Sequence, residues 1–216
     1  MKKIFALILM AIAIISCGDK SSPTIKETKI TYYEGKQLCD EIIPSTQLQY
    51  EIYKYDEKER VVFKQKYIVD PEGAKHFRED GLANEWIITY DEDELISISN
   101  TSYYTTWDDK LESSEMKLYK KDNTWYITEK NKYLDVSDLY ISNTGIIATL
   151  MEMLSDMGEG EFPIKPDGTI SVKSEYSNLV GKVVETDNYG NWIKIAVVET
   201  NDDDYFVYTR EITYYE

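Results

Sequence analysis

A two-residue alternation of apolar and polar side chains, broken at short intervals by acidic turns, constrains this chain more than any other feature. It is cleanest near the C-terminus. Residues 180–186 have a strand pattern, Asp187-Asn-Tyr-Gly-Asn191 turns the chain, and 192–199 form a second strand pattern. Asn201-Asp-Asp-Asp204 turns it again before a third run, 205–215. Period-two alternation sends successive side chains to opposite faces, so such segments bury an apolar face only as neighbours in a sheet.

Looser copies of the same phrase fill the upstream chain. Runs 29–33 and 37–42 flank Glu34-Gly-Lys36, which predicts a hairpin with its glycine in the loop. Run 47–55 places Leu48, Tyr50 and Ile52 on one face, and Asp56-Glu-Lys-Glu59 turns the chain. Run 60–69 then aligns Val61, Phe63, Tyr67 and Val69, with Gln65 as the exception. Residues 70–84, with Pro71, Gly73 and Gly81, read as a loop. Strands 85–90 and 95–99 flank Asp91-Glu-Asp-Glu94, 103–107 reads as a further short strand, and 111–119 and 124–129 flank Lys120-Lys-Asp-Asn123.

One segment departs from period two. In 142–157, Ile146, Ile147, Leu150, Met151, Leu154 and Met157 recur at helical spacing, and Gly158 follows as a C-cap. This predicts one amphipathic helix packed on the sheet, followed by a loop over 160–168. The expected fold class is therefore mainly β, an antiparallel meander of hairpin repeats with one packed amphipathic helix.

The N-terminus reads separately. Lys2 and Lys3 precede an apolar run from Ile4 to Ile15, shorter than the ~20 residues of a bilayer-spanning helix. A charged start, a short apolar run and a small residue before the cut describe a secretory signal peptide over 1–16. The boundary Ile14-Ile-Ser-Cys17 resembles the lipobox of bacterial lipoproteins. That resemblance implies acylation of Cys17, which becomes the mature first residue. Two or three acyl chains anchor a protein stably where one does so only marginally. Residues 17–28 are then the lipidated cysteine and a polar tether, and 29–216 a single repeat-built domain. The implied address is the cell envelope, lipid-anchored to a membrane, with the outer membrane of a Gram-negative-type bacterium expected and the leaflet left open.

Charge narrows the partners. Two of the 24 basic residues, Lys2 and Lys3, lie in the leader and none of the 40 acidic residues does, so the mature net charge is about −18. A surface of that sign repels phosphate backbones, which argues against nucleic acid as a partner, and the lipid rather than a basic patch holds the membrane. With Cys17 acylated, Cys39 has no disulfide partner and is expected to be buried on a strand. The 19 tyrosines suit half-buried sheet faces, where the ring packs and the hydroxyl reaches water.

The turns carry a second resemblance. Tyr55-Asp-Glu-Lys-Glu-Arg-Val-Val62, Tyr90-Asp-Glu-Asp-Glu-Leu-Ile-Ser97 and Thr186-Asp-Asn-Tyr-Gly-Asn-Trp-Ile193 resemble the YD (RHS-type) repeat of secreted bacterial proteins, Tyr-Asp-x-x-Gly-Arg/Asn-Leu/Trp. That repeat carries no catalytic residues to transfer. Its glycine needs a positive φ, and Gly190 alone keeps it; Glu59 and Glu94 stand at that position in the other copies.

No catalytic constellation stands out. His76, the one histidine, lies between cations in Lys75-His-Phe-Arg78 with no triad pattern nearby, and reads as a solvated loop residue. The acidic clusters 91–94, Asp108-Asp109 and 202–204 fit no EF-hand spacing and read as solvated turns that also discourage edge pairing. No Walker loop, dinucleotide fingerprint or paired-cysteine metal site occurs, so no cofactor or metal is expected, with weak calcium binding by the carboxylate-rich turns as the alternative. The expected function is a membrane-anchored, non-enzymatic β scaffold that binds a protein or glycan. The alternatives are a carrier holding an apolar ligand between sheet and helix, and a glycan hydrolase using a carboxylate pair from different strands.

Overall fold

The computed structural model describes residues 23–69, 76–106, 110–122, 124–140, 164–173, 178–200 and 204–216. They form twelve strands: β1 (Ile25–Leu38), β2 (Glu41–Tyr55), β3 (Val61–Ile68), β4 (Leu82–Asp91), β5 (Glu94–Thr105), β6 (Leu111–Lys121), β7 (Thr124–Lys130), β8 (Asp135–Tyr140), β9 (Thr169–Lys173), β10 (Asn178–Thr186), β11 (Trp192–Glu199) and β12 (Asp204–Tyr214). All belong to one sheet in the order β8-β7-β6-β5-β4-β3-β2-β1-β12-β11-β10-β9. Every neighbouring pair is antiparallel. The sheet is thus two meanders joined where the first strand pairs with the last. Among the described residues there is no helix; the one expected over 142–157 lies outside them, in the stretch of chain that leads from β8 to β9.

The strand pattern of the sequence is borne out in β10, β11 and β12, and corrected at the start. Residues 29–42 do not form a hairpin around Gly35. β1 runs straight through it, and the turn falls at Cys39-Asp40, with Cys39 at φ 53°. Gly35 answers to crowding instead: a Cβ there would lie 2.8 Å from Ile42 Cγ2 and 2.8 Å from Tyr205 Cβ. Residues 103–105 belong to β5 rather than to a strand of their own. Cys39 is exposed rather than buried, because it is the turn.

Register sorts the side chains into two faces. One transverse row runs Thr28–Tyr53–Lys64–Trp86–Asn100–Met116 across β1 to β6. Next to it run Ile88–Ile98–Leu118–Ile127. This face carries both apolar clusters. Trp86, Ile88, Ile98 and Leu118 form one, with Met116, Trp125 and Ile127 against it. Ile170, Ile195 and Val197 form the other, with Leu179, Val183, Trp192 and Tyr208.

That finding corrects the expected faces of β2 and β3. The sequence suggests Leu48, Tyr50 and Ile52 as the inward set of β2, and Phe63 and Tyr67 as that of β3. Instead Glu51, Tyr53 and Lys64 are buried, and Tyr50, Phe63 and Tyr67 lie half-buried on the opposite face. Register shifts beside Tyr55 put Val61 on the clustered face despite its odd number.

Candidate functional site

The inversion in β2 and β3 centres on an ion pair. Tyr53 and Trp86 stand directly opposite Lys64 on its two neighbouring strands, so its ammonium lies between two rings, 5.0 Å from each centroid. Glu51 Oε2 is 3.4 Å from Lys64 Nζ, with Lys64 only 3% and Glu51 6% exposed. The same oxygen accepts the hydroxyl of Tyr32 at 3.0 Å and that of Tyr53. A buried charge persists when it is both paired and hydrogen-bonded, and ring faces add attraction for the cation. Chemically this centre holds β1, β2, β3 and β4 in one register. A one-residue slip of β3 would put Lys64 on the other face and leave Glu51 without its cation. Trp86 Nε1 is buried with no hydrogen-bond partner among the described residues. Sequence reasoning missed these residues, although opposite charges on two adjacent strand patterns were a signal available to it.

A second arrangement recurs at the hairpin tips. Asp56 Oδ1 accepts the backbone N–H groups of Lys58 (2.9 Å) and Arg60 (3.0 Å), and Oδ2 accepts Arg60 Nε at 2.8 Å. Asp187 Oδ1 accepts those of Tyr189 (2.8 Å) and Asn191 (2.9 Å), and Oδ2 accepts Asn191 Nδ2 at 3.4 Å. The backbone closes identically: Asp56 N to Arg60 O at 3.0 Å, and Asp187 N to Asn191 O at 2.8 Å. In both turns the residue after the tip has positive φ, 59° at Glu59 and 88° at Gly190. The aspartate thus organises the turn through main-chain donors, which explains why Asp opens the phrase and Arg or Asn closes it. Burial pushes each carboxyl up, but the hydrogen bonds from Arg60 at Asp56 outweigh it, as do those from Tyr214 and Asn191 at Asp187. Both therefore sit below the usual Asp value.

The middle copy is built differently. Asp91 pairs with Glu94 across a two-residue turn, and the positive φ of 51° belongs to Glu92, not to Glu94 as its alignment suggests. Neighbouring tips touch. Arg60 Nη1 donates to Glu92 O at 2.7 Å, Lys58 Nζ lies 2.5 Å from Asp93 Oδ1, and Lys120 pairs with Glu94. Arg60 also stacks over Tyr90, 4.1 Å from the ring centroid. Strand direction puts turns 56–60, 91–94, 121–124 and 187–191 at one end of the sheet. There Tyr215 N meets Thr24 O at 2.9 Å, and the Tyr214 hydroxyl donates to Asp187.

The face opposite the clusters is the open one from β2 to β7. On it Tyr50 and Tyr67 stack with centroids 4.6 Å apart and planes 10° apart, and Lys29 Nζ lies 5.1 Å over Tyr50. Tyr119 and Tyr126 stack at 5.7 Å. Ile87, between Phe63 and Ser99 in register, is 49% exposed. Where β11, β12 and β1 meet, this face closes over Thr31, Ala196 and Val207.

Compared with protein-family models, curated proteins and solved structures, the chain has no match.

Of the residues singled out in the sequence, Cys17 lies outside the described residues, as do Asp108, Asp109, Asp202 and Asp203. His76 is exposed, and its carbonyl accepts Thr105 N at 2.7 Å. Among the described residues no three His, Cys, Asp or Glu side chains are placed to hold a metal ion, and no helix is long and apolar enough to cross a membrane. Among the described residues Trp86, Trp125 and Trp192 belong to the clustered face, so the described part of the open face presents tyrosine rather than tryptophan.

Proposed function

We propose that this chain is a non-enzymatic lipoprotein of the cell envelope, anchored through Cys17, whose open sheet face binds a protein or glycan. The observation that carries the binding reading is the stacked Tyr50–Tyr67 pair beside Lys29, on a half-exposed face that also carries Phe63, Ile87 and the Tyr119–Tyr126 stack. Flat tyrosine faces with hydroxyls at their rims offer rings for apolar contact and oxygens for hydrogen bonds, a combination suited to sugar C–H faces and to protein hot spots. The matching Asp56 and Asp187 turns support kinship with YD repeats. The anchor reading stands on the leader and on Ile14-Ile-Ser-Cys17.

Affinity capture with the full chain, compared with a Tyr50→Ala/Tyr67→Ala variant, tests the binding face. Loss of captured protein or glycan in the variant, with the sheet intact by circular dichroism, is the expected result; unchanged capture refutes the assignment. Hydrolytic turnover abolished by a single Asp or Glu substitution would overturn the non-enzymatic reading. Cys17→Ser is expected to abolish incorporation of labelled palmitate, and persistent labelling would place the anchor elsewhere.

A further inference from the structure

Thr24 fixes where the ordered sheet begins. Its carbonyl accepts Tyr215 N, at the end of the sheet that carries turns 56–60, 91–94, 121–124 and 187–191. From Cys17 to Thr24 the chain has seven residue steps, a reach of at most about 25 Å. β1 then runs 14 residues to the opposite end, roughly 45 Å away, where Cys39 forms the turn into β2. The two ends differ in chemistry. The near end exposes Glu57, Glu59, Asp91, Glu92, Asp93 and Glu94. The far end exposes Leu38 (61%), Leu111 (53%) and Tyr133 (85%) beside the charged Asp40, Glu41 and Lys110.

We propose that the sheet stands upright on the bilayer, its acidic turn row toward the phospholipid headgroups and its Cys39 end away from them. The proposal rests on the anchor reading above. An inverted body is excluded by length, since it would place Thr24 about 45 Å above a surface that the tether reaches over at most about 25 Å. The carboxylates of this turn row outnumber its cations Lys58, Arg60, Lys120 and Lys121, so the tether rather than charge keeps this end near an anionic surface. The Tyr50–Tyr67 face then stands perpendicular to the membrane, and Leu38, Leu111 and Tyr133 lie at the end away from it.

Cys39 supplies its own probe. The purified, acylated full chain is labelled at Cys39 with a fluorescent maleimide and reconstituted in phosphatidylcholine/phosphatidylglycerol vesicles containing a headgroup-labelled acceptor lipid. A second sample carries Cys39→Ser and Tyr189→Cys, which moves the dye to the turn row. Upright standing predicts a closest approach of about 40 Å or more from Cys39 and below about 25 Å from position 189. Equal, short distances from both positions mean that the sheet lies flat, and a shorter distance from Cys39 means that it is inverted; either result overturns the proposal. Mass spectrometry of the N-terminal peptide from the same sample reports acylation of Cys17 independently. An acylated chain with short Cys39 distances refutes the orientation alone, whereas an unmodified Cys17 refutes the anchor and the orientation with it.

Discussion

Replacing Lys64 by methionine tests the buried ion pair directly. Methionine keeps the unbranched stem between Tyr53 and Trp86 and removes only the ammonium, 3.4 Å from Glu51 Oε2. Glu51 is then a buried carboxylate with two tyrosine donors and no cation at that distance. Removing one partner of a buried pair costs about 3–5 kcal/mol, against roughly 5–15 kcal/mol for the stability of a whole domain. Loss of the ring contacts to the cation accounts for about 1–2 kcal/mol of that. The double variant Glu51→Gln/Lys64→Met discards both charges and keeps an amide oxygen for the hydroxyls of Tyr32 and Tyr53, so it is expected to recover at least about 2 kcal/mol. Urea unfolding followed by tryptophan fluorescence, which Trp86 reports from within the site, gives all four corners of the cycle. A cost below about 1 kcal/mol for Lys64→Met, or strict additivity of the two substitutions, would refute the reasoning.

Four further outcomes follow from the turns and the tight strand contacts. The Asp56 and Asp187 carboxyls are held below their ordinary 3.8, so their contribution is present above that pH and is lost as pH falls through the lowered values. Asp56→Asn/Asp187→Asn should therefore flatten the acid limb of a stability–pH curve below about pH 4. Burial and the bond to Asp187 push the Tyr214 hydroxyl up to about 12, so stability that depends on it is present below pH 10 and lost as pH rises towards 12. Burial also raises Tyr50, Tyr67, Tyr90 and Tyr208, so ultraviolet titration should show a late tyrosine component that Tyr214→Phe reduces by one residue. Gly190→Ala meets no atom within 4 Å and should cost only the backbone strain of φ 88°, about 1 kcal/mol by thermal melting. Gly181→Ala would place a Cβ 2.3 Å from Ala196 O and should cost more than twice that, because β10 and β11 must part.

Alternation and turn chemistry carried most of the strand pattern. The run 192–199 reads clearly because Asp187, Gly190 and Asn191 mark its start and its alternate residues Ile195 and Val197 pack in one cluster, with Trp192 against it. Gly35 misleads because a glycine signals either a turn or a close approach, and only the partner strand bearing Tyr205 tells which. The faces of β2 and β3 are illegible to hydropathy because the core there is polar: Glu51 and Lys64 satisfy each other across strands, which no single-strand pattern records. β8 and β9 were missed in sequences that are short and, in β8, interrupted by Asp135 and Asp138. The burial of Trp86 and the half-burial of Trp125 and Trp192 also could not be read, since tryptophan fits a core and a binding face equally well.

Strand order has a consequence for how the molecule is made. β1 and β12, adjacent in the sheet, are separated by nearly the whole chain, so the N-terminal ribbon waits with one edge unzipped until synthesis is finished. Two locally wound halves should assemble first, and a slow docking step should weld them along that seam. Because Thr24 and Tyr215 touch there, a permuted chain that joins them through a short linker and opens in another hairpin should reach the same sheet with the wait abolished.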